Sequence, residues 1–239
     1  MAGIIAALLL CLPSSARADW IAGVFLGQQW TRPGTVTLAL PDRQTTLDVD
    51  GVTYRGESFA SPQYYGARIM WVPDARPWLG VEVEFIHAKV YAQTNRVAHI
   101  RGTLRGAAVD ASIPLSSIVQ RLAMSHGLNF LLANVALRRG FGPVDGRGAP
   151  RLVAAVRAGA GPTMPHAEST IDDLSREQFE SGGLGAQATA GLEMVVWRGV
   201  GVLAEYKFTW ATPVIDVAGG EATIPSRSHH LIGGVSYRF

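Results

Sequence analysis

Six histidines are spread through the chain, and none sits in a short metal-binding motif. They occur in stretches such as "EFIHAKVY" (84–91), "MSHG" (124–127), "PHAE" (165–168) and "SHHL" (228–231). Neutral imidazole is the commonest side-chain metal ligand, so histidines gathered from separate elements, with Glu168 or Asp216, would bind a divalent cation. Simple solvation of the rings is the bland alternative. Ser125 next to His126 offers a second chemistry, a nucleophile beside a base, although no third member lies nearby in sequence. Alternate carboxylates in "VEVEF" (81–85) offer a third. Like charges in a confined site push their pKa values apart, which suits acid and base work; paired with cations, they are structural filling.

The elements that must position these groups read as strands. Apolar and polar residues alternate with period two over about Trp20–Gln29, Phe59–Val72, Trp78–Ala92, Leu122–Arg138, Arg151–Met164, Leu184–Trp197, Val200–Thr212 and His229–Phe239, which makes about eight strands. Within Val200–Trp210, Val202, Tyr206, Phe208 and Trp210 share one face, while Leu203, Glu205, Lys207 and Thr209 share the other. The same rule turns Arg68, Glu82, Glu84, Arg157, Glu193, Glu205 and Lys207 to one side as an interior charge network. Both the acid–base and the salt-bridge readings apply to it at this stage.

The two ends of the chain narrow the fold class. Residues 1–18 read as a signal peptide, with an apolar run over Ile4–Leu12, a break at Pro13 and Ala16-Arg17-Ala18 before a mature start at Asp19. That segment carries Cys11, the one cysteine, so the remaining domain over residues 19–239 has neither disulfide nor thiol chemistry. No later window is long and apolar enough for a membrane helix. The last strand places Leu231, Gly233, Val235, Tyr237 and Phe239 on one face, and an aromatic terminus of this kind resembles that of bacterial outer-membrane barrels. The expected fold is all-β, a membrane-spanning antiparallel up-and-down barrel, located in the bacterial outer membrane and monomeric.

Connection lengths orient this barrel. Residues 73–77, 140–149 and 198–199 are short or moderate links, whereas 30–58, 93–121, 165–183 and 213–228 are long; short turns face the periplasm and long loops face outward. His87, His126, His166, His229 and His230 then gather at the outer rim, and His99 lies in an outer loop. Lys89 and Tyr91 continue the outward parity of His87 into the headgroup layer, where cations, including Arg55, Arg96, Arg101 and Arg105, can pair with lipid phosphates. A bulge at His87 would turn it inward instead. A formal charge of +2 with no basic run argues against nucleic acid, and no phosphate loop stands between a strand and a helix.

Six stretches carry a family resemblance: "SPQYYGARIMW" (61–71), "EFIHAKVYA" (84–92), "SHGLNFLLANVALR" (125–138), "GAGPTMPHAE" (159–168), "AEYKFTWA" (204–211) and "LIGGVSYRF" (231–239). Together, and in this order, they resemble the outer-membrane lipid A oxidase-like proteins. The resemblance implies oxidation of the proximal glucosamine of lipid A to 2-aminogluconate, with molecular oxygen as co-substrate and a divalent metal cation. It draws attention to Tyr64, Tyr65, Gly66 and Arg68, to His87, Lys89 and Tyr91, to Pro165, His166 and Glu168, and to Glu205, Tyr206 and Lys207. Combined with the rim map, it gives an expected metal set of His87, His166, Glu168 and His230, with Lys89 and Tyr91 on the substrate. Outer-membrane lipid, lipid A above all, is the expected partner. Two rivals stand beside this reading: a non-enzymatic structural or surface-interaction barrel, and a hydrolase of lipid A acyl chains, which needs a Ser or carboxylate beside a His facing the lipid.

Overall fold

A computed structural model describes residues 18–144 and 149–239. The leader assigned to residues 1–18 lies outside the described residues except for Ala18, which opens the first strand. Eight strands form the wall: β1 (Ala18–Thr31), β2 (Tyr65–Pro73), β3 (Leu79–His87), β4 (Val119–Val144), β5 (Pro150–Ile171), β6 (Leu184–Trp197), β7 (Val200–Ala211) and β8 (Ser226–Arg238). Each pairs antiparallel with its neighbour in sequence, and β1 pairs with β8. The ring of pairings returns to its start, so the sheet is a closed up-and-down barrel.

Alternation survives in the register. Val24, Leu26, Val81, Val83, Val135, Val156, Leu192, Met194, Val202, Leu231 and Val235 all point away from the barrel and are exposed. In water such a belt would be an aggregation surface; in hydrocarbon it is a solvent-matched wall. Aromatic residues bracket the belt. Trp20, Trp71, Trp78, Trp197, Tyr237 and Phe239 ring the end with the tight turns, and Trp30, Tyr65, Tyr206, Phe208 and Trp210 ring the other. Ten residues along β1 separate Trp20 from Trp30. At ~3.3 Å per residue and a tilt of ~40° this is a height of ~25 Å, the thickness of an outer-membrane apolar band.

The interior is filled by charge. Both oxygens of Glu205 accept bonds from Arg68 Nη1 at 2.8 Å, and Arg157 donates to Glu205 as well. Glu82 lies 3.2 Å from Arg157 Nε and 3.6 Å from Arg68 Nε, and accepts from Asn134 at 3.1 Å. Glu84 pairs with Lys207 and accepts from Gln187 at 3.1 Å, while Glu193 accepts from Ser236 at 2.6 Å. All seven charged residues of this network are buried. Every carboxylate has a donor, which is the arrangement buried charges require.

The regions read as long outer loops are not irregular. Gly34–Leu40, Thr45–Val52, Val97–Leu104, Ala107–Pro114, Val214–Val217 and Gly220–Thr223 form a second, six-stranded antiparallel sheet. Val36, Leu38, Leu47, Val49, Ile100 and Ile215 on its inner face join Phe25, Tyr64 and Phe130 of the barrel in one apolar core. The sheet therefore caps the outer mouth. β4 and β5 also run far past the wall: β4 has 26 residues and β5 has 22, against the ~10 that a tilted membrane strand needs. Their outer parts, near 119–127 and 163–171, project beyond the apolar belt as a hairpin. The short strands Val90–Ala92 and Leu174–Phe179 pair along that hairpin.

Two substitutions test this architecture. Val83→Arg, placed mid-strand on the lipid side, should cost about 2–4 kcal/mol in urea unfolding from bilayers. Glu205→Gln leaves Arg68 and Arg157 to share Glu82 alone and should cost about 3–5 kcal/mol in the same measurement.

Candidate functional site

The projecting hairpin contains a break in register. Met124 faces Ala167 and Leu128 faces Pro165, so β4 spends Ser125, His126 and Gly127 where β5 spends only His166. Gly127 makes the excursion possible: its φ is +98°, and a Cβ there would lie 2.6 Å from both His87 Nδ1 and Asn129 Oδ1. The bulge releases Ser125 and His126 from the ladder and turns them onto His166.

Four side chains meet as a result. His126 Nδ1 lies 3.2 Å from His166 Nδ1, and Ser125 Oγ lies 3.2 Å from the first and 3.3 Å from the second. Glu168 Oε1 is 4.0 Å from each Nδ1 and accepts a hydrogen bond from Ser125 Oγ. Arg121 grips the other oxygen of Glu168 through Nε and Nη2. Burial raises the Glu168 carboxyl, but the Ser125 hydrogen bond and Arg121 outweigh it and hold it below the usual carboxylate range.

Glu177 acts from behind. Its Oε1 stands 3.3 Å from His166 Nε2, which makes Nε2 the protonated nitrogen and leaves the Nδ1 lone pair facing His126. Phe179 covers the His166 ring at 4.3 Å between centroids. His126 Nδ1, His166 Nδ1 and Glu168 Oε1 therefore present three donors to one point. Ligands at 2.0–2.1 Å from a tetrahedral metal sit roughly 3.3 Å apart, close to the spacing of the two nitrogens. Two imidazoles and one carboxylate with positions left open are a divalent-metal donor set, and the side chains fit one.

A second layer holds the bulge. His87 Nδ1 bonds Asn129 Oδ1 at 2.8 Å, and Asn129 Nδ2 donates to the carbonyls of His126 at 3.2 Å and Met164 at 3.0 Å. The two donations fix the Asn129 amide, so its oxygen accepts from His87. The Tyr65 ring stacks on His87 at 5.0 Å. His87 keeps the outward parity of Tyr65, opposite which it lies, yet is covered.

Of the four residues expected from sequence to hold a metal, the fold brings His166 and Glu168 together and keeps the others apart. His87 supports the bulge. His230 is wholly buried inside the barrel, with Nε2 2.8 Å from Thr209 Oγ1 and its ring beside Tyr64, because it follows the inward parity of β8. Lys89 is buried too, donating to the Ala60 carbonyl at 3.0 Å, and burial lowers its ammonium. Tyr91 borders the cluster: its hydroxyl reaches the Ser125 carbonyl at 3.4 Å, and its ring lies between Lys89 Nζ and Arg121 Cζ at 5.8 and 5.9 Å. His126 was read as a rim histidine and as a base beside Ser125 but left out of the metal set, and Arg121, Asn129 and Glu177 escaped the sequence reading as site members. The signal for His126 was "SHG", a polar, glycine-ended break in an otherwise apolar strand.

No protein-family model matches the chain, and no curated protein matches it. Among solved structures it is similar to the outer membrane protein OprG from Pseudomonas aeruginosa, at 10% identity over 94% of this chain and 97% of that one, with a TM-score of 0.44. It is similar to Neisserial surface protein A at 10% identity, 93% and 99% coverage and a TM-score of 0.41. The attachment invasion locus protein Ail of Yersinia pestis gives 12% identity, 94% and 99% coverage and a TM-score of 0.40. The chain's own wall, closed, apolar outside and girdled by aromatics at both ends, is that of an outer-membrane barrel.

The bulge generates a prediction. Gly127→Ala forces a Cβ into His87 and Asn129 at a backbone angle that L-residues avoid; it should cost about 1–3 kcal/mol in urea unfolding. Displacing His126 should also weaken Mn²⁺ binding by about 10–100-fold in calorimetric titration.

Proposed function

We propose that this barrel is a lipid A-modifying oxidoreductase of the lipid A oxidase kind, with a divalent cation held by His126, His166 and Glu168. The observation that carries the reading is the convergence of those three donors on the projecting hairpin, just above the apolar belt, where the sugar headgroups of outer-leaflet lipid lie. Two histidines and one carboxylate with open positions are the set used by non-haem iron oxygenases. A cation held there supplies Lewis acidity and open coordination positions.

The chain's own residues do the rest. Glu177 fixes the His166 tautomer, and Ser125 orients Glu168. Phe179 shields one side of His166 from water. Asn129 and His87 keep His126 in place. For the reaction to balance, C1 of the proximal glucosamine must carry a free hemiacetal hydroxyl: two electrons and two protons pass from C1–H and that hydroxyl to molecular oxygen, giving hydrogen peroxide and a lactone, and water opens the lactone to the acid with a net gain of one oxygen atom.

A second reading has its own observation. Ser125 Oγ stands 3.3 Å from His166 Nδ1, and His166 Nε2 faces Glu177, the connectivity of nucleophile, base and orienting acid. Against it, Ser125 is 4% exposed and its proton is donated to Glu168.

Mass spectrometry of lipid A from cells with and without the protein separates these outcomes. The oxidase reading requires a gain equal to one oxygen atom, abolished by EDTA and in His126→Ala, His166→Ala and Glu168→Gln. Loss of an acyl chain would move the assignment to hydrolysis, and an unchanged spectrum would overturn both in favour of a non-enzymatic barrel.

A further inference from the structure

Arg121 is the cation that grips the carboxylate of the donor set. Its side chain is half exposed, lies over the Tyr91 ring and edges a cleft of about 370 Å³ that Glu168, Thr170, Ser175 and Glu177 also line. Thr170 Oγ1 and Ser175 Oγ, 2.9 Å apart across the hairpin, put two hydroxyls on the same face. The other cations nearby are committed elsewhere. Lys89 is buried on the Ala60 carbonyl, and Arg176 is turned to Asp216 at 2.7 Å and Gln178 at 2.6 Å.

Arg121 and the cation donor set share one carboxylate. Arg121 neutralises Glu168, whose Oε1 stands 4.0 Å from both imidazoles. A divalent cation on Glu168 takes over that neutralisation and repels the guanidinium, which then has a fork of donors without an acceptor. A planar guanidinium so placed is matched to a phosphate, and Thr170 and Ser175 can add hydroxyl donors.

We propose that Arg121 switches from Glu168 to a phosphate monoester of the bound glycolipid when the cation binds, so that cation and substrate phosphate bind cooperatively. The proposal rests on the metal set given above. Because C1 of the oxidised sugar carries a free hydroxyl, the phosphate belongs elsewhere on the headgroup. By linkage, whatever factor the phosphate adds to cation affinity, the cation adds to phosphate affinity.

Calorimetric titration of Mn²⁺ into the full chain in detergent tests this without using activity. In the wild type, micelles containing monophosphoryl lipid A should tighten Mn²⁺ binding by about five-fold or more over micelles containing the dephosphorylated lipid. Arg121→Gln should bind Mn²⁺ alone more tightly than the wild type and show no difference between the two lipids. Arg121→Lys, which keeps the charge and loses the fork, should retain only part of the phosphate effect. Equal affinities with both lipids in the wild type, or a phosphate effect that persists in Arg121→Gln, overturns the coupling. The full effect from inorganic phosphate alone would overturn the assignment to a glycolipid. Undiminished Mn²⁺ binding in His126→Ala and His166→Ala would instead overturn the metal set, a failure readable apart from that of the coupling.

Discussion

Hydrocarbon offers no partner to a backbone N–H or C=O, so a sheet that crosses it must close on itself. In this chain the first and last strands, β1 and β8, close the ring, and the longest pairing in the wall is that of β4 with β5. That pairing does more than build the wall. The two strands run on past the apolar belt, and on the projecting part the ladder no longer has to be perfect, because solvent and headgroups can satisfy what the backbone leaves open. A three-for-one bulge is tolerable there and would not be at mid-membrane. The site is therefore a consequence of where the two longest strands are allowed to be irregular.

The same constraint accounts for the separation of the two charged clusters. Inside the wall, charges are far from water, and each survives by contact with an opposite charge, an amide or a hydroxyl, as in Arg68, Arg157, Glu82, Glu205 and Glu193. Such a network has no spare donor set for a ligand without breaking a pair, at a cost of several kcal/mol. On the hairpin, side chains are only partly desolvated. His126 is 56% exposed at its side chain while His166 is 8% exposed. A cluster of this mixed burial can exchange partners, which the sealed interior cannot.

Much of the barrel was legible because period-two alternation is imposed by a wall with lipid on one side and packed side chains on the other. Leu184–Trp197 was read to the residue, and the inward set from Arg68 to Lys207 follows from parity alone. The capping sheet was less legible. Its strands, such as "TVTLAL" (35–40) and "TTLDVD" (45–50), alternate just as well, but the length of the connections was taken for loop. Parity also explains the fate of the histidines. His230 obeys it and goes inside. His126 and His166 meet only because Ser125–Gly127 breaks it, and a bulge of this kind is set by a partner strand that local sequence does not display.

The stretch "EFIHAKVY" shows how a residue can matter to a site without entering it. His87 ends a wall strand beneath Tyr65 and spends its Nδ1 on Asn129, whose amide in turn holds the His126 carbonyl. Gly127 can approach only because it lacks a side chain, and His87 is what it approaches. Wall and bulge are thereby locked in one register. An imidazole is well suited to this position, since it stacks on an aromatic ring and donates one directed hydrogen bond from a covered place. The rigidity of the barrel thus reaches the donor set through His87 and Asn129, and the hairpin beyond them keeps its three donors together although it has left the membrane that shaped it.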